Sequence, residues 1–448
     1  MKKTGARETA LNLLLDVSER HAYSQIVLND TLPESGLSAR DKSLVTALVY
    51  GVLQRQLTLD YYIDFFTAGK KLDNWVRLLL ELSFYQKLYM DRIPDHAIVN
   101  EAVEIAGLRG HRGISGLVNA VLRKFLREGA PPLSKIIPER RRLSVSYSHP
   151  EWLLALWIRQ WGRAAAVKIA ESNNQPPHTY VRVNTLRTSR SELAATLACA
   201  GIHTVQGTLS PDSLMVTEGH AASAPAFLKG LCTIQDESSM LVADAVAPEA
   251  GMHMLDACAG PGGKTTHLAE RMHNEGQIMA LDLHAHKTRL IARTAERLGL
   301  TNIRTLALDA RKASEHFEKA SFDRVLLDVP CSGFGVIRRK PEIRWEKNEE
   351  GIRHLYDIQN DLLEATAPLV RPGGLFVYST CTINKAENEW QLTRFLRVHP
   401  EFEWDRDFLQ RLPGKAKPFL LDDQSAMLQI LPFQTDSDGF FIGCLRRK

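Results

Sequence analysis

Two cysteines sit in matching settings fifty residues apart. The stretch "VLLDVPCSGFGVIRRK" (325–340) runs through apolar residues into Asp328 and then presents Cys331 in a Pro-Cys pair. The stretch "LFVYSTCTINKAENE" (375–389) repeats the arrangement and ends its apolar run at Cys381. A cysteine sulfur can add to an electron-poor carbon and later leave, dividing one hard step into two easier ones. That use needs the thiolate, and a free thiol has a pKa of about 8.5, so the surroundings must favour the charged form. The six cysteines (199, 232, 258, 331, 381 and 444) contain no CxxC pair, which argues against a disulfide framework or a zinc cluster and for a reducing compartment. Cys199, Cys232 and Cys444 read as inert buried thiols.

A second stretch, "DACAGPGGKTTH" (256–267), carries three glycines between an apolar run and a helical one. Glycines let a backbone approach a ligand closely, and a helix N-terminus favours negative charge. Two phosphate-binding patterns nearly match and fail. A P-loop needs Gly at 258, where Cys258 stands, and a dinucleotide fingerprint from Gly260 needs Gly at 265, where Thr265 stands. An ATPase and a dehydrogenase are thereby disfavoured. A glycine loop fitting neither pattern suits the amino-acid portion of S-adenosylmethionine, which carries no phosphate. Asp282 and Asp309 end the next two apolar runs. Asp282 is placed to accept from two ribose hydroxyls, and a capping carboxylate is the alternative for both. "LHAH" (283–286) places two histidines together, but without further ligands it reads as an exposed turn and no metal is expected.

The elements that must position these residues alternate after residue 250. The strands "HMLDACA", "QIMALDL", "IRTLALDA", "DRVLLDV" and "LFVYSTC" are separated by helical segments. Apolar strands alternating with helices predict a parallel sheet covered on both faces. Ligands in such a sheet bind beyond the carboxyl ends of the strands, where the strand order switches. Asp282, Asp309, Asp328, Cys331 and Cys381 all fall there. Residues 4–129 read instead as helices throughout, with apolar spacing of three and four. Asp95 is expected to cap a helix after "RIP", and Pro150 to open another whose Trp152, Trp157 and Trp161 are core. "EGAPPLSKIIPERRR" is a linker by its prolines and charge. From about 178, "TYVRVNTL", "SRSELAATLACAGI" and "LCTIQDESS" predict a small α/β insert. Glu387 and Glu389 fall at a helix start, where capping is the default reading.

The 448 residues carry a net charge of only +4, unevenly placed. Residues 101–142 hold nine basic and four acidic side chains, so any polyanion would be met there. A solvated helix face is the plainer reading of the same charges. No segment is long and apolar enough to span a bilayer, and the start lacks the uninterrupted apolar stretch of a signal peptide. A soluble, cytoplasmic chain is expected.

"DACAGPGGKTTH", "DVPCSGFGVIRRKPEIRW" and "YSTCTINKAENE", in this order, resemble the motifs of the RNA (cytosine-C5)-methyltransferases of the RsmB/NOP family, and the helical start resembles a NusB-like RNA-binding domain. The resemblance covers nearly the whole chain. It implies three parts: 1–142, an all-α NusB-like domain and linker; 143–240, a small α/β (RRM-like) insert; and 241–448, a Rossmann-like α/β methyltransferase with a mostly parallel sheet. It also implies transfer of methyl from S-adenosylmethionine to C5 of a cytosine in 16S rRNA by a monomer. The residues alone leave open which thiol attacks. In DNA C5 enzymes the Pro-Cys thiol is the nucleophile, whereas the resemblance to the RNA enzymes assigns Cys381 to attack at C6 and Cys331 to product release. It further implies that Asp328 meets the N3/N4 edge of the base and that Lys264 lies in the catalytic pocket. The cofactor contacts it implies are Cys258, Ala259, Gly260, Pro261, Gly262, Gly263, Lys264, Asp282, Asp309 and Asp328. Arg182, Asn184 and Asp236 are candidates for the substrate side. Gly260 departs from the family's more usual Ala, with little consequence expected. A target base must leave its stack, which costs less in a loop than in a duplex, so the expected partner is a structured RNA with an accessible cytosine. The rivals are a DNA cytosine-C5 methyltransferase, which gives the second thiol no purpose, and a non-catalytic RNA-binding factor, against which the intact glycine loop and both thiols argue.

Overall fold

A computed structural model of the chain describes residues 5–20, 23–422 and 424–448; Thr4, where the helical run is expected to begin, lies outside them. The chain divides into two compact units, one of residues 1–176 and 337–346, the other of 177–336 and 347–448.

The first unit is helical. Ala6–Arg20, Ser24–Thr31, Ala39–Thr67, Asn74–Tyr89, Asp95–Arg109 and Arg112–Glu128 come first, and Glu139–Tyr147, Glu151–Trp161 and Arg163–Ser172 follow the proline-rich linker within the same unit. Side chains at helical spacing from the first six helices meet in one core, where Phe84 and Phe125 stack at 3.9 Å between ring centroids. Helix Arg112–Glu128 shows the pattern plainly: Val118, Val121, Leu122 and Phe125 are buried, while Arg112, Arg123, Lys124 and Arg127 are exposed. Ser38 caps the longest helix by accepting from Asp41 N–H at 3.1 Å. Asp95 and Pro150 differ from expectation by one position. Pro94 and Pro150 occupy the N-caps, and Asp95 is the first helical residue, paired with Lys87 at 2.8 Å. Trp157 is fully buried, with Trp152 and Trp161 half-buried.

Segment 337–346 belongs to this helical unit although it follows Cys331 by only a few residues. Arg344 is fully buried and donates to the carbonyls of Gln54 (3.1 Å) and Ser148 (2.8 Å) and to Asn174 Oδ1 (3.1 Å). Glu342 accepts from Ser24 N–H (3.1 Å) and Oγ–H (3.0 Å). Burial, with Arg55 nearby, draws the Arg344 pKa down to about 9.

The second unit holds two sheets. Strands β1 (Thr179–Val183), β2 (His203–Gln206), β3 (Ser213–Glu218) and β4 (Cys232–Ile234) form an antiparallel sheet in the order β2-β3-β1-β4, with helix Arg190–Cys199 closed by a Ser189/Glu192 capping box. The larger sheet contains β5 (His253–Asp256), β6 (Gln277–Asp282), β7 (Ile303–Ala307), β8 (Phe322–Asp328), β9 (Val370–Thr380), β10 (Phe402–Trp404), β11 (Met427–Ile430) and β12 (Phe440–Arg447). Its order is β10-β12-β9-β8-β5-β6-β7, with β11 also paired to β12. The five strands from β9 to β7 are parallel, and the order switches between β8 and β5. This is the Rossmann-like sheet expected. The antiparallel additions β10, β11 and β12 were not foreseen. The continuous apolar run of "FFIGCL" has no period of its own, and pairing with β9 makes it a strand.

Arg182 on β1 is fully buried and forms a two-pronged pair with Glu270, at 3.1 Å through Nε and 2.9 Å through Nη2. Removing one member of a buried pair strands the other charge, at a cost of about 3–5 kcal/mol. Arg182→Ala should therefore lower the urea midpoint sharply, whereas the double replacement Arg182→Met with Glu270→Met should cost much less. Equal losses in the two variants would show that the pair has no electrostatic role.

Candidate active site

The carboxyl ends of β8 and β9 bring the two thiols together. Cys381 directly follows β9, Cys331 lies three residues beyond Asp328, and their sulfurs are 3.4 Å apart. Both are half-buried. The Cys331 loop folds back onto the backbone of its partner: Gly335 N–H donates to the Cys381 carbonyl at 2.9 Å, and Gly439 N–H donates to the Gly335 carbonyl at 2.9 Å. Only glycine permits that approach, because a Cβ at 335 would overlap the Gly439 carbonyl.

Lys264 and Asp328 form an ion pair beside the thiols. Lys264 Nζ donates to Asp328 Oδ2 at 2.7 Å, Ser379 Oγ donates to Asp328 Oδ1 at 2.7 Å, and the ammonium stands 5.1 Å from the Phe440 ring centroid. Burial draws the Lys264 pKa down, but Asp328 outweighs it, with Cys381 and Asp256 adding, and the net shift is upward. A cation thus stands where a Cys381 thiolate would feel it. Cys331 is pushed well above the ordinary thiol range, first by its hydrogen bond to Cys381 and then by burial. Either sulfur can donate in the contact between them.

The glycine loop lies between neighbouring strands. Ala257 N–H donates to Leu326 O at 2.9 Å and Ala259 N–H to Leu281 O at 2.7 Å. Gly262, at φ +106°, caps helix Gly263–Arg271 in a conformation that side chains disfavour. Arg182 donates to the Gly263 carbonyl at 2.6 Å, so the small sheet holds this loop from behind. Asp256 accepts from Thr265 Oγ at 2.7 Å, and burial, aided by Asp328, pushes its pKa up to about 7. A cavity of about 190 Å³ is lined by Cys258, Ala259, Gly260, Pro261, Gly263 and Lys264 together with Ser239, Asp256 and Asp328. Burial drives the Cys258 thiol far upward, so its sulfur stays neutral.

Asp282 and Asp309 stand outside that lining. Asp282 is buried at the end of β6 and accepts from Gly260 N–H (3.2 Å) and His284 N–H (2.9 Å), with Lys287 at 3.6 Å. Gly260 matters to this arrangement more than the sequence suggested, since a Cβ there would overlap Asp282 Oδ2. Asp309 caps the short turn at 310–312 and pairs with Arg311 at 2.6 Å, which holds its carboxyl below the usual range. The three substrate-side candidates have structural duties. Arg182 pairs with Glu270, Asn184 donates to the Gly230 (2.9 Å) and Leu298 (3.1 Å) carbonyls, and Asp236 caps helix Glu237–Val246. Cys232 and Cys444 are buried, with thiols pushed up to about 11 and about 12, mainly by burial; Cys199 is exposed rather than buried. His284 and His286 are exposed, and among the described residues no group of three or more His, Cys, Asp or Glu could hold a metal. Glu387 is not a helix cap. It is fully buried against the Cys331 loop, with Ser332 N–H at 2.8 Å, a contact that strand and helix patterns do not signal.

The thiol asymmetry has a direct readout. Iodoacetamide at neutral pH should alkylate Cys381 well ahead of Cys331, measured by mass spectrometry of the two peptides. Because its pKa is raised, Cys331 should gain reactivity only as pH climbs above the ordinary thiol range. Faster labelling of Cys331 at pH 7 would contradict the raised pKa of its thiol.

Comparisons with known proteins agree with this geometry. The family described as 16S rRNA methyltransferase RsmB/F matches residues 243–446, the NusB family matches 4–127, and the ferredoxin-like domain of RsmF/B-like methyltransferases matches 149–223. The chain is 46% identical to the probable ribosomal RNA small subunit methyltransferase B of Bacillus subtilis, over 100% of both chains. It is 38% identical to the protein of that description in Synechocystis, over 99% of each. A solved structure, PH0851, superposes with a TM-score of 0.82 at 28% identity, covering 100% of this chain and 99% of that one. Methyltransferases of this kind take their methyl from S-adenosylmethionine, and the cavity suits it. The Asp328 carboxylate beside the Lys264 ammonium matches the opposed charges of the amino-acid end, and the glycine loop offers backbone with no phosphate to hold. With full-length similarity, matching family models and a fitting cofactor cavity, the chain belongs to the RsmB/F family of ribosomal RNA small-subunit methyltransferases.

Proposed function

We propose that the methyl goes to C5 of a cytosine in 16S rRNA, through a covalent bond between Cys381 and C6 of the base. The observation that carries this reading is the 3.4 Å sulfur pair at two neighbouring strand ends, in which the Cys331 pKa is raised and Lys264 stands beside Cys381. Bound S-adenosylmethionine supplies an electrophilic methyl on sulfur. The chain's own residues do the rest. Cys381 donates its electron pair to C6, which makes C5 electron-rich. Asp328, fixed by Lys264 and Ser379, accepts from the N4 amine and holds the base edge. Once C5 carries both methyl and hydrogen, Cys331 has lost the neighbouring charge that kept it protonated, and it gives its proton to water. It then takes the C5 proton. The C5–H pair becomes the C5–C6 double bond, the C6–S bond breaks, and its pair returns to Cys381. Asp282, with the amide of Gly260, is assigned to the cofactor's ribose side, and the loop from Cys258 to Lys264 to its amino-acid end. Asp309 keeps its place in the same strand-end row. The rRNA substrate places the work in the cytoplasm.

The test uses both thiols. Cys381→Ala should abolish methyl transfer and any covalent RNA adduct. Cys331→Ala should form the adduct and retain it as an RNA-shifted band on a denaturing gel. The opposite pattern would exchange the two roles, and transfer surviving in both variants would remove covalent catalysis.

The helical unit is assigned to the RNA backbone. Arg109 is committed to Glu8 (3.7 Å), Arg127 to Glu128 (3.0 Å) and Arg140 to Glu151 (3.1 Å), whereas Arg112, Arg123 and Lys124 are exposed and form no ion pair among the described residues. Phosphate contacts release counterions, and each one lost lowers the log–log salt slope by about 0.7–0.9. Changing Arg112, Arg123 and Lys124 to Gln should weaken RNA binding and flatten its salt dependence, with cofactor affinity unchanged. Parallel slopes at equal affinity would leave these side chains as a solvated face.

A further inference from the structure

Glu387 is a carboxylate that the proposed chemistry does not use, yet it is fully buried. A charge taken out of water needs partners, and this one has four donors. Ser332 gives its N–H at 2.8 Å and its hydroxyl at 2.5 Å, Asn384 its amide at 2.9 Å, and Gln359 its amide at 3.1 Å. Ser332 is the residue after Cys331. Its hydroxyl also meets Thr382 Oγ at 2.7 Å, and Thr382 is the residue after Cys381. Gln359 donates as well to the Pro330 carbonyl at 3.0 Å, one residue before Cys331. Both sides of the Cys331 loop and the first residue past Cys381 therefore converge on one carboxylate. The anchor itself is fixed, since Tyr378 O–H donates to the Glu387 carbonyl at 2.7 Å and the neighbouring Asn388 donates to the Thr382 carbonyl at 3.1 Å.

We infer that Glu387 is a positioning residue for product release: through Ser332 and Thr382 it holds the Cys331 sulfur at the distance from Cys381 at which it can take the C5 proton. This rests on the covalent reading above. Attack by Cys381 draws on its own sulfur, the base and the Lys264–Asp328 pair, to none of which the Glu387 carboxylate is bonded. Release needs two sulfurs at one place, so loosening the Cys331 loop should slow release far more than attack. Misplacement by about 1 Å costs on the order of a hundredfold in a step that depends on orientation.

Glu387→Gln keeps the shape but turns an amide donor towards a site where all four partners donate. With full-length protein, 16S rRNA and S-adenosylmethionine, E387Q should keep its single-turnover methyl transfer within about threefold of the parent. Its steady-state turnover should fall by about ten- to a hundredfold, with the denaturing-gel adduct accumulating as in Cys331→Ala. Ser332→Ala keeps the amide bond but removes the hydroxyl link to Thr382; it should show the same split to a smaller degree and serves if E387Q does not fold. A purely structural role would instead lower single-turnover and steady-state rates together without adduct. That result, in E387Q or in Ser332→Ala, overturns the inference. If Cys331→Ala itself retains no adduct, the covalent reading has failed rather than this one.

Discussion

The parallel pairing of β8 with β9, which sets Asp328 opposite Ser379, is the constraint on which the site depends. Both strands end at the same level of the sheet, and Val329 N–H still bonds to the Ser379 carbonyl at 3.1 Å. Cys331 and Cys381 then emerge side by side without a further element to bring them together. A shift of one residue in this register would turn every β9 side chain to the opposite face and separate the sulfurs. The register is held from both sides, because β9 also pairs with β12, Thr380 facing Phe441. Strand β12 is thus part of the catalytic architecture although it carries none of the assigned chemistry.

Around this pair, burial and charge act in opposite directions on neighbouring groups. Burial raises the pKa of Cys331 and of Asp256 and would lower that of Lys264. The Asp328 carboxylate reverses the effect on Lys264 and reinforces it on Asp256. The result is one fixed cation beside Cys381 and a raised pKa at Cys331. Two chemically identical side chains can therefore hold different roles at a single pH.

Much of this was legible in the sequence for physical reasons. Apolar runs ending in Asp256, Asp282 and Asp328 and the Thr380–Cys381 pair identify strand ends, and a doubly covered parallel sheet makes those ends converge. Cys258 and Thr265, each standing where a phosphate-binding pattern needs glycine, disfavoured both patterns. Tertiary partners stayed hidden. Arg182 reads as a polar side chain on a strand and becomes a buried ion only because Glu270 folds against it. Asp309 looks equivalent to Asp282 until Arg311, two residues away, captures it. Glu387 lies three residues from Asn384 in a helix-start pattern, and nothing local reveals that Ser332 reaches it from 55 residues away. The short antiparallel strands at the carboxyl end have no alternation to betray them.

The chain leaving Cys331 is fastened at two points of different kinds. At its start Ser332 is held by the buried Glu387 carboxylate. A few residues on, Glu342 and Arg344 are buried among the helices, with Ser24, Gln54, Ser148 and Asn174 as partners. Arg344 brings a charge into a buried place where, among the described residues, carbonyl and amide oxygens accept its hydrogen bonds, which costs solvation that a neutral side chain would not. The Glu387 anchor is understandable if the Cys331 sulfur must hold one position through attack, methylation and release, while the base it faces changes its bonding at C5 and C6.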